Sequence, residues 1–117
     1  METILLQYNA HIDKYMGDGI MSEFGAPIRF EKHALLGVAA AWKMQERMSK
    51  GNYPFKLRVG LSTGVATTGI IGSKRQSFTA FGDVVNLASR IEGMCEPTRV
   101  TVDESTYKDC RDVVNFR

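Results

Sequence analysis

The hydrophobic repeat of this chain changes period at Gly51, and that change constrains the fold more than any single motif. Upstream, FEKHALLGVAAAWKMQERMSKG (residues 30–51) sets Leu35, Val38, Ala39, Trp42 and Gln45/Glu46 at helical spacing, with Gly51 where a helix should stop. Downstream, FKLRVGLS (55–62) alternates: Phe55, Leu57, Val59 and Leu61 share one face, and Lys56, Arg58 and Gly60 the other, as in a half-buried strand. The same switching recurs along the chain. METILLQYN suits the end of a helix, while HIDKYMGD and GIMSEFG flank a glycine turn as a hairpin, with Ile12, Ile20, Met21 and Phe24 as core candidates. SFTAFGD is a further strand, VVNLASRIEGM a helix, RVTVD the last clear strand, and ESTYKDC a short helix introduced by Asp103 or Ser105. In 117 residues, which can enclose one moderate core, interleaved strands and helices predict one domain with a sheet covered by helices. Trp42 and the Met44/Met48 pair are expected in that core rather than around a cofactor.

Composition excludes several classes of function. Fifteen Lys and Arg against thirteen Asp and Glu leave a net charge of +2, too small a bias to call for nucleic acid or an anionic membrane as partner. The two cysteines, Cys95 and Cys110, match no metal-ligand spacing and are too few for a secreted disulfide framework, which points to thiols in a reducing, cytoplasmic compartment. No apolar run reaches the roughly 18 residues of a membrane span, so this segment is expected to make no direct membrane contact. His11 and His33 form no ligand cluster.

Three stretches carry the chemistry. In GDVVNLASRIEG, Val84, Leu87, Ala88 and Ile91 form an apolar stripe, and Asn86 and Arg90, four residues apart, lie together on another face. A forked permanent cation beside a directed neutral amide suits an electron-rich group such as a phosphoryl oxygen in a charged transition state. The same spacing equally fits a solvated face, or an Arg90 paired with Glu92 or Asp83. GVATTGIIGSK is Gly-rich but is neither a Walker A loop nor a dinucleotide fingerprint; Lys74 and Arg75 could reach a polyphosphate or simply occupy a charged turn. Gly17-Asp18-Gly19 can bend tightly and leave Asp18 at a hairpin tip, either as a plain turn residue or as one carboxylate ligand of Mg²⁺.

DKYMGDGIMSEFGAP, RVGLSTGVATTGIIGSKRQSFTAFGDVVNLASRIE and RVTVDESTY, in this order and spacing over nearly all of residues 1–117, closely resemble the class III nucleotidyl cyclase catalytic domain, the adenylyl and guanylyl cyclase family. The resemblance implies an α+β, ferredoxin-like sheet with helices packed on it. It implies formation of a 3′,5′-cyclic nucleotide and pyrophosphate from a nucleoside triphosphate, with two Mg²⁺ or Mn²⁺ ions at the interface of a head-to-tail homodimer. Asp18 matches a metal-binding aspartate. Lys14 and Thr79 match the purine-contacting positions, and lysine at the first resembles adenylyl cyclases, where guanylyl cyclases usually carry glutamate. Asn86 matches the residue that orients the ribose, and Arg90 the transition-state arginine.

The implied substrate is therefore ATP, with a guanylyl cyclase or a non-catalytic nucleotide-binding or dimerisation module as alternatives. The family pattern also contains a first strand with another metal aspartate, and closing strands with a phosphate-contacting lysine, which these residues do not match. The segment is thus expected to be a partial domain, lacking the family's first strand and its closing C-terminal strands, and to have little activity alone. An RNA-binding domain would want a basic, aromatic-rich central strand, and FKLRVGLS offers a single aromatic, on its apolar face.

Overall fold

The computed structural model describes residues 2–16, 19–26, 31–51, 53–65, 67–71 and 77–116; for residues 2, 67–71, 77–79 and 81 it describes the backbone alone. In chain order the elements are α1 (Glu2–Gln7), β1 (His11–Met16), β2 (Gly19–Glu23), α2 (His33–Lys50), β3 (Val59–Leu61), β4 (Thr67–Ile71), β5 (Ser77–Phe81), α3 (Asp83–Met94), β6 (Val100–Val102) and α4 (Glu104–Cys110). The α+β class that the resemblance implies is present. Among the described residues the strands form three two-stranded ladders: β1 with β2 and β4 with β5, both antiparallel, and β3 with β6, parallel. A parallel pair needs a long crossover, and here β4, β5 and α3 provide it.

Ile4, Leu5 and Ala10 meet Ala40, Ala41 and Met44 of α2 in the main buried cluster, with Tyr8, Ile12, Phe24, Leu57, Val59, Leu61 and Val100 packed around it. Small residues let α2 approach this cluster closely; at Gly37 an added Cβ would already lie 3.4 Å from the Phe24 ring. The buried face of α2 is Gly37, Val38, Ala40, Ala41, Met44 and Gln45, so of the expected stripe Val38 and Gln45 are buried, Leu35, Ala39 and Glu46 are half-buried, and Trp42 lies outside it. Trp42 is 67% exposed, and Phe55, which lies outside the short strand β3, is 62% exposed; neither is core, and Ile20 is also exposed.

Gln45, buried on α2, does what an apolar residue there could not. Its amide nitrogen donates to Leu57 O at 2.9 Å and to Arg99 O at 2.8 Å, joining the segments that lead into β3 and β6. Leu57 O also accepts from Thr98 N at 2.8 Å, so the two segments are held together by backbone and side chain alike. Of the two candidate caps for α4, Asp103 is the one used: it accepts from Thr106 N at 2.9 Å and from Thr63 N at 3.3 Å, fixing α4 to the segment that follows β3. Among the described residues no helix is long and apolar enough to cross a membrane.

Candidate active site

The β1–β2 ladder runs from His11 opposite Glu23 to Met16 opposite Gly19, and its register slips between Ile12, which faces Ser22, and Lys14, which faces Met21. Asp13 is therefore the extra residue of a β-bulge, a device that bends a strand and re-aims its side chains. The Asp13 side chain is only 1% exposed, while that of the neighbouring Lys14 is 48% exposed. Asp13 Oδ2 accepts the Ala80 backbone N–H at 2.9 Å, and Oδ1 lies 3.8 Å from Lys14 Nζ. Ala80 follows Thr79 on β5, so this one carboxylate brings Lys14 and the Thr79 segment into the same neighbourhood. Thr79 itself is opposite Gly69 on β4.

Beside Asp13 stands a second carboxyl. The Glu23 side chain is 14% exposed, and His11 Nε2 is 3.6 Å from its Oε1, yet among the described residues neither carboxyl oxygen has a partner at hydrogen-bond distance. Burial first, and then the neighbouring Asp13 carboxyl, push the Glu23 carboxyl up from 4.5 to about 8, with Lys14 working in the opposite direction. Near neutral pH this favours the protonated form of Glu23.

This shift predicts a pH dependence of stability. The folded state keeps the Glu23 proton and the unfolded chain releases it near pH 4.5, so Glu23's contribution is fully present below about pH 4.5 and is lost as pH rises through about 8. Glu23→Gln removes that loss. Urea unfolding of the full-length protein should show wild type and E23Q nearly equal near pH 4.5, with E23Q the more stable by a few kcal/mol near pH 8.5, the slope between being at most about 1.4 kcal/mol per pH unit. Curves that stay parallel would show that Glu23 ionises normally.

Helix α3 begins directly after β5. Gly82, between them, has φ of 128°, a backbone conformation that a side chain would strain, and Ser62 Oγ donates to Val84 O to hold the first turn. Ile91 is buried, and Val84, Leu87 and Ala88 are partly buried, as the apolar stripe requires. Asn86 and Arg90 are both exposed, one turn apart. Glu92 pairs with Arg58 at 3.5 Å, and among the described residues Arg90 forms no ion pair, so neither Glu92 nor Asp83 engages its guanidinium.

The structure thus brings Lys14 close to β5 at Thr79–Ala80 and places Asn86 and Arg90 on the next element of the chain. Asp18 lies outside the described residues, as do Lys74 and Arg75, and for Thr79 the description is of backbone only. Among the described residues no three His, Cys, Asp or Glu side chains converge to hold a metal ion. The sequence reading assigned no role to Asp13 or to Glu23. The available signal was two acids in a short hairpin otherwise expected to contribute to a core.

Residues 1–116 match the model of the adenylate and guanylate cyclase catalytic domain. Adenylate cyclase 1 of Rhizobium meliloti is 32% identical over 97% of this chain and 19% of its own length. Among solved structures, the guanylyl cyclase Cya2 superposes with a TM-score of 0.87 at 31% identity, covering 97% of this chain and 62% of that one. The adenylyl cyclase CyaB of P. aeruginosa gives 0.81 at 33% identity, covering 97% of this chain and 64% of that one. The chain therefore spans about a fifth of that curated relative and under two thirds of those solved chains. With residues 1–116 matching the family model and the fold superposing on solved cyclase domains at 31% and 33% identity, this chain belongs to the adenylate and guanylate cyclase catalytic domain family.

Proposed function

We propose that the protein containing this segment is an adenylyl cyclase, converting ATP to 3′,5′-cyclic AMP and pyrophosphate. The observation that carries the reading is the placement of Lys14 against β5: the Asp13 carboxylate, 3.8 Å from Lys14 Nζ, also accepts the N–H of the residue after Thr79. A lysine ammonium there can donate to a purine ring nitrogen, and a threonine hydroxyl can accept from the exocyclic amine of adenine. Guanine reverses that donor and acceptor pattern and would leave polar groups unpaired.

Asn86 would orient the ribose, and Arg90 would stabilise the charge that grows at the α-phosphate as the 3′-oxygen attacks in line and the bond to pyrophosphate breaks. Their exposure, and the absence of an ion pair to Arg90 among the described residues, leave both available to a ligand. Asp18, an oxygen donor of the kind Mg²⁺ prefers, would hold a divalent cation, which when bound supplies counter-charge to the triphosphate and lowers the pKa of the 3′-hydroxyl. In a homodimer, Asp18 of one subunit would share a site with Lys14, Thr79, Asn86 and Arg90 of the other.

A guanylyl cyclase is the second reading, favoured by the superposition on Cya2. Lys14→Gln in the full-length protein separates the two. On the adenylyl reading, its ratio of kcat/KM for ATP to that for GTP falls by about tenfold or more. An unchanged ratio removes Lys14 from base selection.

A further inference from the structure

Lys14 and Thr79 stand on β1 and β5, strands of different ladders. A pair of base-contacting groups discriminates between purines only if their spacing is fixed, since a loose lysine can adapt to either base. The contact that spans these two strands is made by a side chain. Asp13, the unopposed residue of the β1 bulge, is enclosed at 1% exposure, with Oδ2 on the Ala80 N–H at 2.9 Å and Oδ1 at 3.8 Å from Lys14 Nζ. Such an enclosed carboxylate is not itself open to a nucleotide, but it touches the residue on either side of the selection question: Lys14 directly, and Thr79 through the peptide that follows it.

We infer that Asp13 is a positioning residue for purine selection, holding the Lys14 ammonium in one direction and β5 at one distance from it. The inference rests on the reading of Lys14 and Thr79 as the base-contacting pair. A free lysine side chain samples many rotamers. Pairing with Asp13 completes part of the ordering before the base arrives, so that binding energy goes into telling one purine from the other. The neutral Glu23 next to Asp13 supports this arrangement, because a second charge there would compete for the same ammonium.

Asp13→Asn tests it. The amide keeps the shape and can still accept from Ala80, but it no longer attracts Lys14. In the full-length protein, kcat/KM for ATP and GTP and calorimetric dissociation constants for both nucleotides are measured for wild type, D13N, K14Q and the double variant. D13N should lower the ATP to GTP ratio by about tenfold, chiefly through the KM and dissociation constant for ATP, and should add nothing in the K14Q background. A D13N variant that loses activity equally with both nucleotides, or an effect that simply adds to that of K14Q, overturns the inference. If K14Q shifts the ratio and D13N does not, base reading stands and the positioning role falls; if neither shifts it, both fall, as they do if neither nucleotide binds. Should D13N fail to fold, Asp13→Glu, which keeps the charge but displaces it by a methylene, must also lower the ratio; an unchanged ratio again overturns the inference.

Discussion

Replacing Arg90 by alanine in the full-length protein is expected to lower kcat for cyclic nucleotide formation by about 10²- to 10³-fold, the usual cost of losing one donor aimed at transition-state charge. Stability should change by no more than about 0.5 kcal/mol, because Arg90 is exposed and forms no ion pair among the described residues. The contrast between the two readouts is the point. An arginine that merely solvated α3 could be removed without effect on either, and one that held the helix in place would lower both. R90K should recover little activity, since an ammonium cannot present the planar fork of a guanidinium. The proposed sharing of sites between subunits gives a further expectation: mixing R90A with an Asp18→Asn variant should restore part of the activity, because the mixed dimer contains one site with both groups intact. Loss of less than about tenfold in R90A would remove Arg90 from the chemistry.

Gly60→Ala is expected to fail in the opposite manner, through the fold. Built on the backbone of β3, a Cβ at residue 60 would lie 2.4 Å from Glu92 N, 2.7 Å from Ala88 O and 2.8 Å from Glu92 Cα. All three atoms belong to the α3 backbone, so no rotamer change relieves the clash; the helix must move. Such overpacking costs about 3 kcal/mol or more when backbone has to shift. Since α3 carries Asn86 and Arg90, activity should fall with stability, and thermal unfolding should shift downward in the same variant. A G60A protein with wild-type stability would show that β3 and α3 do not approach as described.

Periodicity made the local elements legible. The hairpin from His11 to Glu23, the long helix ended by Gly51, the α3 stripe and the last strand all appear where the spacing puts them. What periodicity could not choose was a face. Residues 34–42 are apolar almost all round the helix, and the side that is buried is the one where Gly37, Ala40 and Ala41 allow close approach; this leaves the bulky Trp42 outside. Phe55 fits the alternation, but the strand begins only at Val59.

The division of the described strands into three ladders depends on long-range pairing, for which alternation contains no information. In the candidate site, Asn86 and Arg90 were visible because four residues make one helical turn. Lys14 acquired a role only through the family resemblance, and Asp13 was hidden by the bulge, since strict alternation from the core candidate Ile12 puts Lys14 on the core face and Asp13 on the opposite one. Glu23 was hidden because a carboxyl kept neutral by its surroundings has no signature in a sequence.

The most direct test of the whole account is turnover by the full-length protein with ATP and GTP in parallel, each with Mg²⁺ and with Mn²⁺, resolving cyclic AMP and cyclic GMP by chromatography. The account predicts cyclic AMP and pyrophosphate in equal amounts, with kcat/KM for ATP above that for GTP. Equal or reversed preference would contradict the adenine-reading role of Lys14 and Thr79, and no cyclic product from either nucleotide would contradict the cyclase reading itself.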